Sequence, residues 1–171
     1  MFIMPPLDSR LSKAQVMALA GNLRHDECGI EEMFTQMKQT NNAQVANNAA
    51  WVLSHLSKED KEIYLLPHYG ELVDMAISTK LCIHRRLVLS ILADLPINEL
   101  NGNLLDYCLM HLADHKESNS SRSMMIKLAA RMCKPYAELC QELMWCLDMI
   151  PQDISPSIAA AKRNALKMIQ A

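Results

Sequence analysis

Apolar residues recur along this chain with the period of an α-helix almost from end to end. No stretch alternates with the two-residue period of a half-buried strand. The clearest stripe is Tyr136, Leu139, Cys140, Leu143, Met144, Leu147 and Ile150, which fall on one face of a single helix. Val16, Leu19, Ala20 and Leu23 form a second; Ile30, Met33, Phe34 and Met37 a third; Ile97, Leu100, Leu104, Cys108 and Leu112 a fourth. Each stripe must be covered by another helix, because an amphipathic helix left alone exposes its apolar face to water. The chain is therefore expected to be all-α, with helices packed on helices.

The breaks between stripes carry helix punctuation. Ser155-Pro156 reads as an N-cap followed by proline at the first helical position, where its missing N–H costs nothing. Pro135 is expected to open a helix in the same way. Pro96 ends one helix and Asn98 offers a cap to the next. Nine helices are expected, near 9–24, 27–39, 42–57, 61–77, 79–95, 98–115, 119–133, 135–149 and 155–170. The connections are short, which favours antiparallel neighbours. Helix 79–95 has little polar face and is expected to be covered on several sides, whereas helix 155–170, rich in Ala, Lys and Gln, suits an end.

A chain of 171 residues fits a single domain, here 1–171, and can bury enough surface to fold without a disulfide or structural metal. Half of its residues are hydrophobic and only four are glycine, which suits packed helices. Thirteen methionines make up for scarce aromatics as flexible core filler. Cys28, Cys82, Cys108, Cys133, Cys140 and Cys146 lie scattered through apolar runs with no CxxC pair, so they read as reduced core thiols. The opening MFIMPPLDSR lacks a secretory signature and no run reaches transmembrane length; a cytoplasmic location is the default expectation. A formal net charge of -2 supplies no general field for nucleic acid or an anionic membrane, so a protein or peptide partner is expected.

An internal repeat emerges when the second helix of each expected pair is aligned. Trp51-Val52-Leu53-Ser54-His55-Leu56 matches Leu87-Val88-Leu89-Ser90-Ile91-Leu92 at an offset of 36. Leu89 maps to Ile126 at 37, and Ile126-Lys127-Leu128 to Leu166-Lys167-Met168 at 40. Periods of this size in helical pairs mark an α-solenoid, in which neighbouring pairs complete one another's core. On these residues the chain resembles HEAT-like, armadillo-type repeat proteins. The resemblance implies an α-α superhelix of about four antiparallel helix pairs from 27 to 170, with the leading helix as an N-terminal cap.

The repeat also carries positive charge in register. Four residues before the anchors Leu89, Ile126 and Leu166 stand Arg85, Arg122 and Lys162, with Arg86 and Arg163 one step on. Such a ladder could pair internally with acids or helix C-terminal carbonyls, or line an anion-binding groove, since arginine grips carboxylate and phosphate in two-point fashion. The first full pair places Asn47, Asn48 and Trp51 in the same helix. A tryptophan exposed beside amides is a binding hot spot, and one packed between pairs is core. These eight residues are the candidate binding set, for a protein or peptide. The alternative is a nucleic-acid protein resembling the DNA glycosylases built from HEAT-like repeats, which net charge disfavours.

No residues suggest catalysis, a metal or a cofactor. Cys108, His111 and His115 share a helix, but one helix rarely completes a zinc site and there is no HExxH. Ser120 to Lys127 resembles the Ser-Ser-x-Met-Pro-x-Lys-x-Asn loop of the fumarase and adenylosuccinate lyase superfamily, but it lacks the Pro and the Asn and continues as an amphipathic helix.

Overall fold

Short polar side chains start most of the helices. In the computed structural model, which describes residues 6–39, 41–152 and 154–171, every regular element of the described residues is helical. Ser12 accepts from the Gln15 amide while the Gln15 side chain accepts from the Ser12 amide, a reciprocal box that opens α1 (Lys13–Asn22). Asp26 caps α2 (Glu27–Lys38), Asn42 caps α3 (Ala43–Ser54) and Ser57 caps the single turn α4 (Lys58–Asp60), each accepting an amide three residues on. The chain continues through a π turn (Lys61–Leu65) and a 3-10 turn (Leu66–His68) into α5 (Tyr69–Ser78), and then α6 (Cys82–Asp94). Next come α7 (Gly102–His111), α8 (Asn119–Cys133), α9 (Ala137–Asp148) and α10 (Pro156–Gln170).

Three expectations about boundaries need correction. The helix expected over 61–77 is broken. Pro67 has no N–H to give and its ring crowds the carbonyl four residues back, so the helix widens before it and tightens around it. The cap of α7 is Asn101, whose Oδ1 accepts from the Leu104 amide at 3.0 Å, and not Asn98. Pro135 stands outside α9, which begins at Ala137 with no side-chain cap. Ser155 and Pro156 open α10 as expected, the Ser155 hydroxyl accepting from the Ile158 amide at 3.4 Å.

The described residues gather into two compact units, Met1–Pro96 and Ile97–Ala171. In the first, α2 packs on α3, α5 on α6, and α3 on α6, with α1 laid against α3. Phe34, Met37, Leu53, Leu72, Leu89 and Leu92 are fully buried there. In the second, α7 packs on α8, and α10 runs along α8 far more extensively than along α9. The sequence pairs α10 with α9; its chief partner is instead the equivalent helix of the preceding repeat. α9 buries only Leu143 and Leu147, too little apolar surface to hold α10 by itself.

Methionine does fill cores, at Met33, Met37, Met125 and Met132. The thiols divide. Cys108 and Cys133 are buried and burial pushes both up to about 12, which keeps them protonated and inert, whereas Cys28 and Cys82 are exposed, contrary to the reading of all six as core. No helix among the described residues is long and apolar enough to cross a membrane.

Candidate functional site

Asn48, His84 and Ser121 are polar side chains at 3%, 0% and 1% exposure, one in each of α3, α6 and α8 at the repeat interval. Burial of such groups is tolerated only when they are hydrogen-bonded. The Asn48 amide donates to the Leu7 and Ser9 carbonyls at 2.8 and 2.7 Å, pinning the segment before α1. His84 Nε2 lies 2.9 Å from the Met37 carbonyl, which can only accept, so this nitrogen carries the proton. Nδ1 is then the acceptor for the Thr79 hydroxyl at 3.2 Å. His84 thus ties α6 to the end of α2. Burial lowers its pKa, and Arg85 adds to that, while the Met37 carbonyl works the other way. Ser121 closes a smaller loop with the Ser118 hydroxyl at 3.0 Å.

The arginines one residue on turn back to carbonyls. Arg85 Nε donates to the Ala76 carbonyl at 2.9 Å and Nη2 to the Thr79 carbonyl, both at the end of α5. Arg122, only 6% exposed, donates from Nε to the Leu112 carbonyl at 2.9 Å, at the end of α7. Helix C-termini leave carbonyls without partners and carry partial negative charge, so a cation from the following helix satisfies both. Lys162 is half-buried and Arg163 exposed on α10; neither takes a hydrogen bond or ion pair among the described residues. α10 packs little on α9, so no helix end is presented to Lys162 as it is to Arg85 and Arg122.

Four of the eight candidate residues meet in the first unit. A cleft of about 320 Å³ is lined by Arg10 and Leu11, by Gln44, Asn47, Asn48 and Trp51 of α3, and by Ile83, Arg86 and Leu87 of α6. Residues 44, 47, 48 and 51 fall at i, i+3, i+4 and i+7, and 83, 86 and 87 at i, i+3 and i+4, so each helix gives the cleft one face. Asn48 builds the wall by holding the strand of backbone that carries Arg10. Trp51 is half-buried, Ile83 is 53% exposed, and Asn47 Oδ1 is buried with no donor reaching it among the described residues. Arg10 and Arg86 are exposed and pair with no carboxylate among the described residues, and none of the cleft residues is acidic. The result is a polar cleft with two available guanidinium groups and an aromatic wall.

Sequence reasoning missed Arg10, Gln44 and Ile83. Gln44 and Ile83 were legible, since they share helix faces with Trp51 and Arg86; Arg10 was not, because a backbone contact from Asn48 brings it there. It also missed Trp145 of α9, at 62% exposure the more open of the two tryptophans. Its cue is that it falls off the apolar stripe of its own helix.

A family model described as a HEAT repeat domain matches residues 4–169. No curated protein and no solved structure matches the chain.

Proposed function

The chain belongs to the HEAT repeat domain family, a helical repeat architecture suited to binding, and from that premise we propose that it is a non-catalytic module that takes an acidic peptide segment of a protein partner. The supporting observation is the convergence of Arg10, Arg86 and Trp51 in one cleft with no carboxylate among its described lining residues. Carboxylates of the peptide pair with the two guanidinium groups in bidentate fashion. An apolar side chain of the peptide lies against Trp51 and Ile83. Arg85 is spent on helix-end carbonyls, and Arg122 does not line this cleft, which leaves a short cationic site here and not a long track. A nucleic-acid backbone is favoured less by such a site, since its affinity rests on many phosphate contacts.

The test is fluorescence anisotropy with acidic, neutral and basic peptides of matched length and apolar content. Binding should follow acidic content and weaken at least about tenfold in Arg86→Glu or Arg10→Glu, the loss of one charge-assisted pair. Equal affinity for basic and acidic peptides would refute the reading.

A further inference from the structure

A second cleft lies wholly within the second unit, about 470 Å³ in volume, and its polar lining comes from His115, Asn119, Arg122 and Ser155. Asn119 is the first residue of α8 and Ser155 the N-cap of α10, so the starts of two fifteen-residue helices meet at one cleft. Helix starts offer unpaired amide N–H groups and partial positive charge. The independent observation is Arg122. It is 94% buried by the measure of its 6% exposure, yet only Nε has a partner, the Leu112 carbonyl. Arg85, in the equivalent position of α6, commits both Nε and Nη2 to carbonyls. The four N–H donors on the Arg122 Nη atoms meet no acceptor among the described residues, and no carboxylate there pairs with its charge. The Arg122 stem is buried while its Nη atoms are not among the buried unpaired atoms, so the guanidinium is held in place at the cleft with its fork available to an incoming anion.

We infer that this cleft is a second binding site, distinct from that of Arg10 and Arg86, for a phosphate monoester carried on a small apolar body. Among the described residues every polar lining group can donate a hydrogen bond, and none is an acid. Phosphate suits them because its three oxygens can engage Arg122 and both helix starts at once. Met149, 74% exposed, together with Ile154 and Ile158 gives the rest of the lining an apolar character that fits the ester's organic group.

The experiment is an NMR titration of the full chain with phenyl phosphate, with benzoate in parallel. The expected result is saturable movement of the Asn119 and Ser157 amides, with phenyl phosphate binding more tightly than benzoate. Arg122→Lys, which keeps the charge but loses the fork, should weaken binding about tenfold, and Arg86→Glu should leave it unchanged. If Arg122→Lys does not fold, the exposed His115→Ala carries the same test with a smaller loss. Silent amides at α8 and α10, tighter binding of benzoate, or full affinity in the folded Arg122 and His115 variants would each overturn the inference. Loss of acidic-peptide binding in Arg86→Glu has no bearing on it, so the two sites fail independently.

Discussion

Two adjacent arginines in α6 have opposite fates. Arg85 bends back to the carbonyls of Ala76 and Thr79, while Arg86 stands exposed at the cleft. Arg85→Ala strands those carbonyls and should cost about 1.5–3 kcal/mol, as loss of hydrogen bonds to a charged group does. Arg86→Ala should fall within about 0.5 kcal/mol of the parent, the usual range for a surface change. Urea melts of the two variants check this, and equal losses would contradict the division of roles. The sequence made both arginines visible through their register. It could not separate them, because which arginine meets a helix end depends on a backbone that periodicity alone does not specify.

A second residue-scale prediction concerns His68. It lies between Glu31 at 2.7 Å and Glu71 at 3.0 Å and stacks on Phe34 with centroids 4.3 Å apart. Partial burial opposes its protonation, but the hydrogen bonds and charges of Glu31 and Glu71 outweigh this and raise its pKa above the ordinary 6.5. A raised folded-state pKa stabilises the fold fully below the unfolded value and loses that contribution as pH rises through the folded value. His68→Gln should therefore destabilise more at about pH 5.5 than at about pH 8.5 in paired thermal melts. An equal or reversed loss would show that the two carboxylates do not hold the imidazolium.

At the scale of elements, periodicity gave the helices and their caps gave many of the boundaries. Helix 119–133 was legible to the residue, because Ser118 closes on the Ser121 amide at 3.1 Å. The start of α7 was misplaced because two asparagines compete for it in sequence and only Asn101 reaches an N3 amide. Asn101→Ala should cost about 1 kcal/mol and Asn98→Ala close to nothing, read from urea midpoints at constant slope. The reverse order would put the cap back at Asn98. The break at Pro67 was equally present in sequence as a proline inside a helical stripe. The buried Asn48, His84 and Ser121 were harder to see, since each looks like an ordinary surface residue until the carbonyl or hydroxyl it reaches is known.

At the scale of the molecule, the repeat period led to the architecture, and the family match over residues 4–169 spans nearly all of the chain. The site was half legible. Asn47, Asn48, Trp51 and Arg86 were chosen as residues of α3 and α6 in repeat register, and they do meet at one cleft. Arg85 and Arg122 were chosen by the same register but are engaged at helix ends, a distinction made by three-dimensional reach and not by spacing. Since the chain has two tryptophans, Trp145→Phe leaves Trp51 as the sole indole and a direct reporter of the cleft. Titrating that variant with an acidic peptide while following indole emission should give a saturable change at the affinity found by anisotropy, lost when Arg86→Glu is added. Emission that stays flat while the peptide demonstrably binds would mean that the peptide sits elsewhere, and would contradict the account.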